Sequence, residues 1–148
     1  IGAQKTMKKK AIISACLLGV ECRYDGGSNK LPDEKLRELK EKYELIPVCP
    51  ECYGGLTTPR IPSERVGDKV LSKTGTDVTA EFTRGAQAAL YLARLFGADI
   101  AILKENSPSC GSGTIYDGSF SGVLIHGDGE TAQLLQENGV TVLGESKI

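Results

Sequence analysis

The chain of 148 residues contains no apolar run approaching the roughly 18 residues that a membrane span requires. Its N-terminus lacks the apolar centre of a secretory signal, so a cytoplasmic location is expected. Neither sign of charge dominates: 18 Lys and Arg stand against 19 Asp and Glu, a net charge of −1. That balance removes the electrostatic case for binding a nucleic-acid polymer. The single histidine, His126, follows Val123-Leu124-Ile125, where a lone His is more often exposed or packed than a ligand, and it is left out of the site. The single methionine is Met7. Residues 1–6 before it share none of the later periodicity and are expected to be a cloning remnant, leaving 7–148 as a single α/β domain. No repeat and no low-complexity tract interrupts it.

Five cysteines are present. An odd count in a reducing compartment argues for metal, cluster or thiol chemistry rather than structural disulfides. Three of them end apolar runs. Ala11 to Ala15 suits a central parallel strand and stops at Cys16; Glu44 to Val48 is a second strand, with Pro47 at its end or on an edge, and stops at Cys49. Asp99 to Leu103 is a third, followed by Lys104-Glu105-Asn106-Ser107-Pro108-Ser109-Cys110-Gly111-Ser112-Gly113, a stretch too small and rigid to fill a core. Val140 to Leu143 is the fourth.

Between the strands lie helical patterns. Leu31 to Glu34 opens a helix with Leu36, Leu39 and Tyr43 on one face, Thr79 to Phe96 carries a broad apolar stripe stopped by Gly97, and Gly129 to Asn138 is closed by Gly139. Leu17 to Asn29 reads as a loop. Pro50 to Asp77 is a long excursion with a hairpin near Val66 to Leu71 turning at Gly67-Asp68, of the kind that covers an active site. Phe120 to Val123 reads as a connector. The alternation predicts a Rossmann-like parallel sheet of about four strands in the order 2-1-3-4 with helices on both faces. Its topological switch point falls between strands one and three, and Cys16, Cys49 and Cys110 all stand at the carboxyl ends where ligands bind.

Three thiols converging from three loops suggest a shared metal or cluster; three unrelated cysteines used as small hydrophobes would explain the Gly/Pro/Ser-rich settings poorly. A zinc site with three thiolates is one option. An iron-sulfur cluster, which ordinarily takes four cysteines, is another; with three, one iron stays open to act as a Lewis acid. Cys49-Pro50-Glu51-Cys52 offers a third, a redox pair, but such motifs precede a helix and Tyr53-Gly54-Gly55-Leu56 reads as a loop. Cys22 and Cys52 are treated as spare thiols. A non-catalytic zinc- or cluster-binding or redox-sensing module remains the alternative to an enzyme.

Three separated motifs in order, Ser14-Ala15-Cys16-Leu17-Leu18-Gly19 with Cys22-Arg23-Tyr24-Asp25-Gly26, Pro47-Val48-Cys49-Pro50-Glu51 with Gly54-Gly55-Leu56 and Pro59-Arg60, and Leu103-Lys104-Glu105 with Ser107-Pro108-Ser109-Cys110-Gly111, closely resemble the DUF523 family. The resemblance covers nearly the whole chain from Met7. It implies a thiouracil desulfidase of the short form, in which Cys16, Cys49 and Cys110 bind a [4Fe-4S] cluster and the substrate is a thiolated pyrimidine base, nucleoside or nucleotide whose C=S becomes C=O without net redox change. It further implies that Glu51 and Ser107 are catalytic. Physically, Glu51 suits a base that takes a proton from water, and Ser107 a group that donates or relays one. Equally, Glu51 suits an ion pair with Arg60, and Ser107 a turn cap. Arg23, Tyr24 and Asp25 are expected to support the cluster or to contact the base, and Arg60 and Lys104 to meet a phosphate or to form ion pairs.

Overall fold

A computed structural model describes residues 8–148; the remnant expected over residues 1–6 lies outside the described residues. The apolar runs become four parallel strands, β1 (Lys9–Ser14), β2 (Tyr43–Val48), β5 (Ile100–Leu103) and β8 (Thr141–Gly144), in the order β2-β1-β5-β8. Counted within the sheet alone this is the expected 2-1-3-4, and Pro47 falls on the edge strand β2. Three longer helices, α1 (Asp33–Lys42), α3 (Thr79–Phe96) and α4 (Glu130–Glu137), supply the crossovers.

The period-2 alternation of β1 and β5 decides which helix covers which face. Ile12, Ala101 and Leu103 point to one side, where Ala89 and Ala93 of α3 and Ala132 and Leu135 of α4 pack on them. Ala11, Ile13 and Ile102 point to the other, against Leu39 of α1 and Leu17. Helix α3 ends as its sequence requires, with Gly97 left-handed at φ 70° and its N–H returning to the carbonyls of Ala93 and Arg94.

Three local features depart from the sequence reading. The first strand stops at Ser14, and Ala15–Leu18 winds into a 3-10 turn that carries Cys16. Pro50–Tyr53 forms a one-turn helix, α2, rather than a loop; Pro50 is pre-set for its first position, a signal legible in the sequence. The expected hairpin is present as β3 (Ser63–Val66) and β4 (Lys69–Ser72) around Gly67-Asp68, but a second one, β6 (Thr114–Tyr116) with β7 (Leu124–His126), flanks the Phe120 connector. Its strands are three residues long and β7 is exposed throughout, so it presents no half-buried alternation to read.

Helix α2 is seated directly on α3 through two glycines. A Cβ on Gly54 would stand 1.9 Å from the Glu81 carbonyl oxygen, and one on Gly85 would stand 1.9 Å from that of Pro50. Backbone meets backbone here, and neither side can yield. Helix propensity favours alanine over glycine inside a helix by about 1 kcal/mol, yet overpacking of this kind costs about 1–3 kcal/mol or more. Gly85→Ala is therefore expected to lower the melting temperature by about 3 °C or more, whereas Gln87→Ala, exposed on the same helix, leaves it unchanged; thermal unfolding followed by circular dichroism measures both.

Candidate active site

Where β1, β2 and β5 end, a cavity of about 540 Å³ opens beneath the two hairpins. Cys16, Cys49, Cys110, Glu51 and Ser107 all line it. The five residues singled out from the sequence, up to 94 positions apart, therefore line one cavity, at the switch point between β1 and β5.

Each thiol is held by a different device. Cys16 sits in the 3-10 turn closed by Gly19 at φ 106°, and the Asn29 side-chain amide donates to its Sγ at 3.4 Å. Burial pushes this thiol up, with partial relief from Asn29 and Lys104. Cys49 is the N-cap of α2, its Sγ 4.0 Å from the Cys22 carbonyl oxygen, and burial pushes it up strongly. Cys110 is the most enclosed: burial raises it to about 12, against the opposing pull of Ser14 and Ser109 hydroxyls. All five cysteines are free.

This donor set fits a cluster better than a single ion. Three thiolates on one zinc at about 2.3 Å stand within about 4 Å of one another, and among the described residues no three Cys, His, Asp or Glu side chains gather closely enough to share one ion. A cluster takes one thiolate per iron, so ligands spaced around a common cavity suit it. The redox-pair reading gains a helix in α2, but one of four residues, and burial pushes the Cys49 thiol up where such chemistry needs it lowered. Cys22 lines the cavity next to Cys49, while Cys52 turns to Thr58, Sγ to Oγ1 3.5 Å.

Glu51 and Ser107 each do what a structural residue would do and keep one functional group free. Arg60 Nη2 donates to Glu51 Oε2 at 2.9 Å and to the Cys22 carbonyl at 2.9 Å, clamping α2 to the loop after β1. Burial works against the Arg60 charge, but Glu51 beside it prevails and holds the guanidinium above its ordinary value. Among the described residues Glu51 Oε1 has no hydrogen-bond partner, and Glu51 lines the cavity. Ser107 Oγ accepts the backbone N–H of Ser109 at 3.1 Å and of Cys110 at 3.0 Å. With both lone pairs engaged, the hydroxyl can only donate.

The supporting residues divide between expected and missed. Arg23 bridges Asp25 at 3.2 Å and Asn29 Oδ1 at 3.1 Å, so it orients the amide that meets Cys16. Lys104 pairs with Glu145 at 3.0 Å. Ser14 Oγ, buried at the end of β1, takes the Lys104 backbone N–H at 2.9 Å; a hydroxyl closing an apolar run was the visible signal. Asn29 and Glu64, from a loop and a hairpin, carried none. His126 is exposed at the end of β7.

Residues 11–147 match the family model described as 2-thiouracil desulfurase. The chain belongs to the 2-thiouracil desulfurase family. Among its relatives is the uncharacterized protein YbbK of Bacillus subtilis (strain 168), 42% identical over 147 positions, covering 93% of this chain and 96% of that one. Among solved structures it is similar to one described as a [4Fe-4S]-dependent thiouracil desulfidase, TudS, with 49% identity, a TM-score of 0.91, and coverage of 95% of this chain and 93% of that one. Likeness at that level extends the family relation to the α/β architecture. No helix among the described residues is long and apolar enough to cross a membrane.

The enclosed thiols have a measurable signature. Because Cys110 is buried while Cys16 and Cys49 are half-buried, metal-free reduced protein treated with iodoacetamide at pH 8 should be alkylated more slowly at Cys110 than at either of those two. Peptide mass spectrometry of timed samples reads the order, and early modification of Cys110 would contradict the burial.

Proposed function

We propose that this protein is a desulfidase that exchanges the sulfur of a thiolated pyrimidine for oxygen, with a [4Fe-4S] cluster carried by Cys16, Cys49 and Cys110. The observation that supports it best is the meeting of these three thiols with Glu51 and Ser107 in one cavity, in a chain 49% identical to TudS. Residues 7–148 are read as one working domain. Five free thiols suit a reducing cytoplasm.

Cys16, Cys49 and Cys110 would hold the cluster, which would supply Lewis-acid chemistry toward the thiocarbonyl. The chain's own groups do the rest. Glu51 Oε1 faces the cavity as the base that takes a proton from the attacking water, while Oε2 stays on Arg60 and fixes the carboxylate's aim. Ser107, held as a donor by the two N–H groups on its oxygen, gives a hydrogen bond to the water or to the ring heteroatom beside the reacting carbon. The balance is a thiocarbonyl and water giving a carbonyl and hydrogen sulfide, with no electrons gained or lost.

The cavity of about 540 Å³ has to hold both the cluster and a pyrimidine ring. Arg60 and Lys104 are already engaged by Glu51 and Glu145, so neither is a free phosphate ligand.

Protein purified without oxygen is expected to be brown, to hold iron and sulfide in equal amounts, and to convert 2-thiouracil to uracil with one sulfide released per turnover. Serine at position 16, 49 or 110 should strip the iron. Glu51→Gln and Ser107→Ala should retain it and lose about 10²- to 10⁴-fold in kcat. Colourless, zinc-loaded protein that turns over without iron would overturn the reading.

A further inference from the structure

Two non-glycine residues on the cavity wall hold left-handed backbone, Asn106 at φ 67° and Phe120 at φ 58°. Asparagine tolerates that region; a bulky aromatic does so only under strain that its surroundings enforce. A turn alone would be served by glycine or asparagine at position 120. The enforcing group is Glu64 of β3, a carboxylate only 8% exposed, whose Oε1 accepts the backbone N–H of Gly118 at 2.9 Å and of Phe120 at 3.0 Å.

The rest of the loop is built to the same end. Asp117 N–H closes it on the Val123 carbonyl at 2.9 Å, and Asp117 Oδ1 takes the Ser119 N–H at 2.9 Å. Gly118, at φ 96°, passes so close to β3 that a Cβ would stand 2.7 Å from Val66 Cγ2. One hairpin thus pins the loop of the other and carries a half-buried phenyl ring on the cavity wall. The fold spends a buried charge and a strained residue to keep that ring in place.

We infer that Phe120 is the surface on which the flat pyrimidine ring stacks, and that Glu64 is the positioning residue that holds it there. The inference rests on the desulfidase reading and adds the recognition element for its substrate. A stacking wall suits this chemistry because it is indifferent to the substituents of the ring, leaving the thiocarbonyl to the thiol-bearing end of the cavity.

The test separates binding from chemistry. In the loaded enzyme Phe120→Ala should raise KM for 2-thiouracil about 5- to 100-fold, the range of base-aromatic stacking, with kcat within about threefold of wild type and iron content unchanged. Phe120→Tyr should restore KM. Glu64→Ala should copy the KM defect, whereas Glu64→Gln, whose amide oxygen still accepts both N–H bonds, should not. A readout free of turnover is available because the chain has no tryptophan: Phe120→Trp places one indole at the site, and its emission should fall on titration with unreactive uracil. Unchanged KM in Phe120→Ala, no response of the indole to uracil, or a KM defect that appears in Tyr116→Ala instead would each overturn the inference. Iron-replete wild-type protein that converts no thiopyrimidine would defeat the desulfidase reading, and the indole titration would still report on ring binding.

Discussion

The central strand β1 pairs in parallel with both β2 and β5, Ile13 lying opposite Pro47 on one side and Ile102 on the other. Parallel pairing sends all three chains out of the sheet at the same end. Cys16 leaves β1 within two residues, Cys49 is the first residue after β2, and the Cys110 loop starts where β5 stops. Three thiols therefore line one cavity without any direct bond between their strands' side chains. An antiparallel partner for β1 would have sent one of them to the opposite edge.

Convergence by itself leaves a floppy rim, and buried polar contacts stiffen it. Arg60 reaches from the long excursion to Glu51 and to the Cys22 carbonyl, so one guanidinium joins the loops after β1 and β2. Ser107 gathers the N–H groups of Ser109 and Cys110, and Ser14 ties the end of β1 to the start of the same loop. Such hydrogen bonds to charged or enclosed groups are individually worth about 1–3 kcal/mol. The same contacts fix which oxygen of Glu51 and which end of the Ser107 hydroxyl stay free, so structure and chemistry use opposite sides of one group.

The roof follows a different rule. Hairpins of three or four residues per strand hold little core beyond Val70 packed on Val78 and Phe82, and they are further anchored by Glu64 and by the Arg65 side chain reaching the Asp128 carbonyl and Glu130. Polar anchoring of an otherwise thin cover lets it carry a strained Phe120 over a cavity, where a packed apolar lid would have filled the space.

Apolar runs ending in cysteine and helical stripes bounded by Gly97 and Gly139 determined the sheet and its strand order, because each signal is local and periodic, and three motifs in order pointed to five candidate site residues, which line one cavity. The short helix α2 was also marked, by Pro50, though the glycines after it read as loop. What only the tertiary structure decided is how those residues are occupied. That Glu51 pairs with Arg60 through one oxygen, that Ser107 is restricted to donating, that Asn29 meets Cys16 and that Glu64 holds Phe120 all depend on residues from separate loops and hairpins. Loops have no period to read, and a hydrogen bond between residues 64 and 120 exists only once the hairpins have docked.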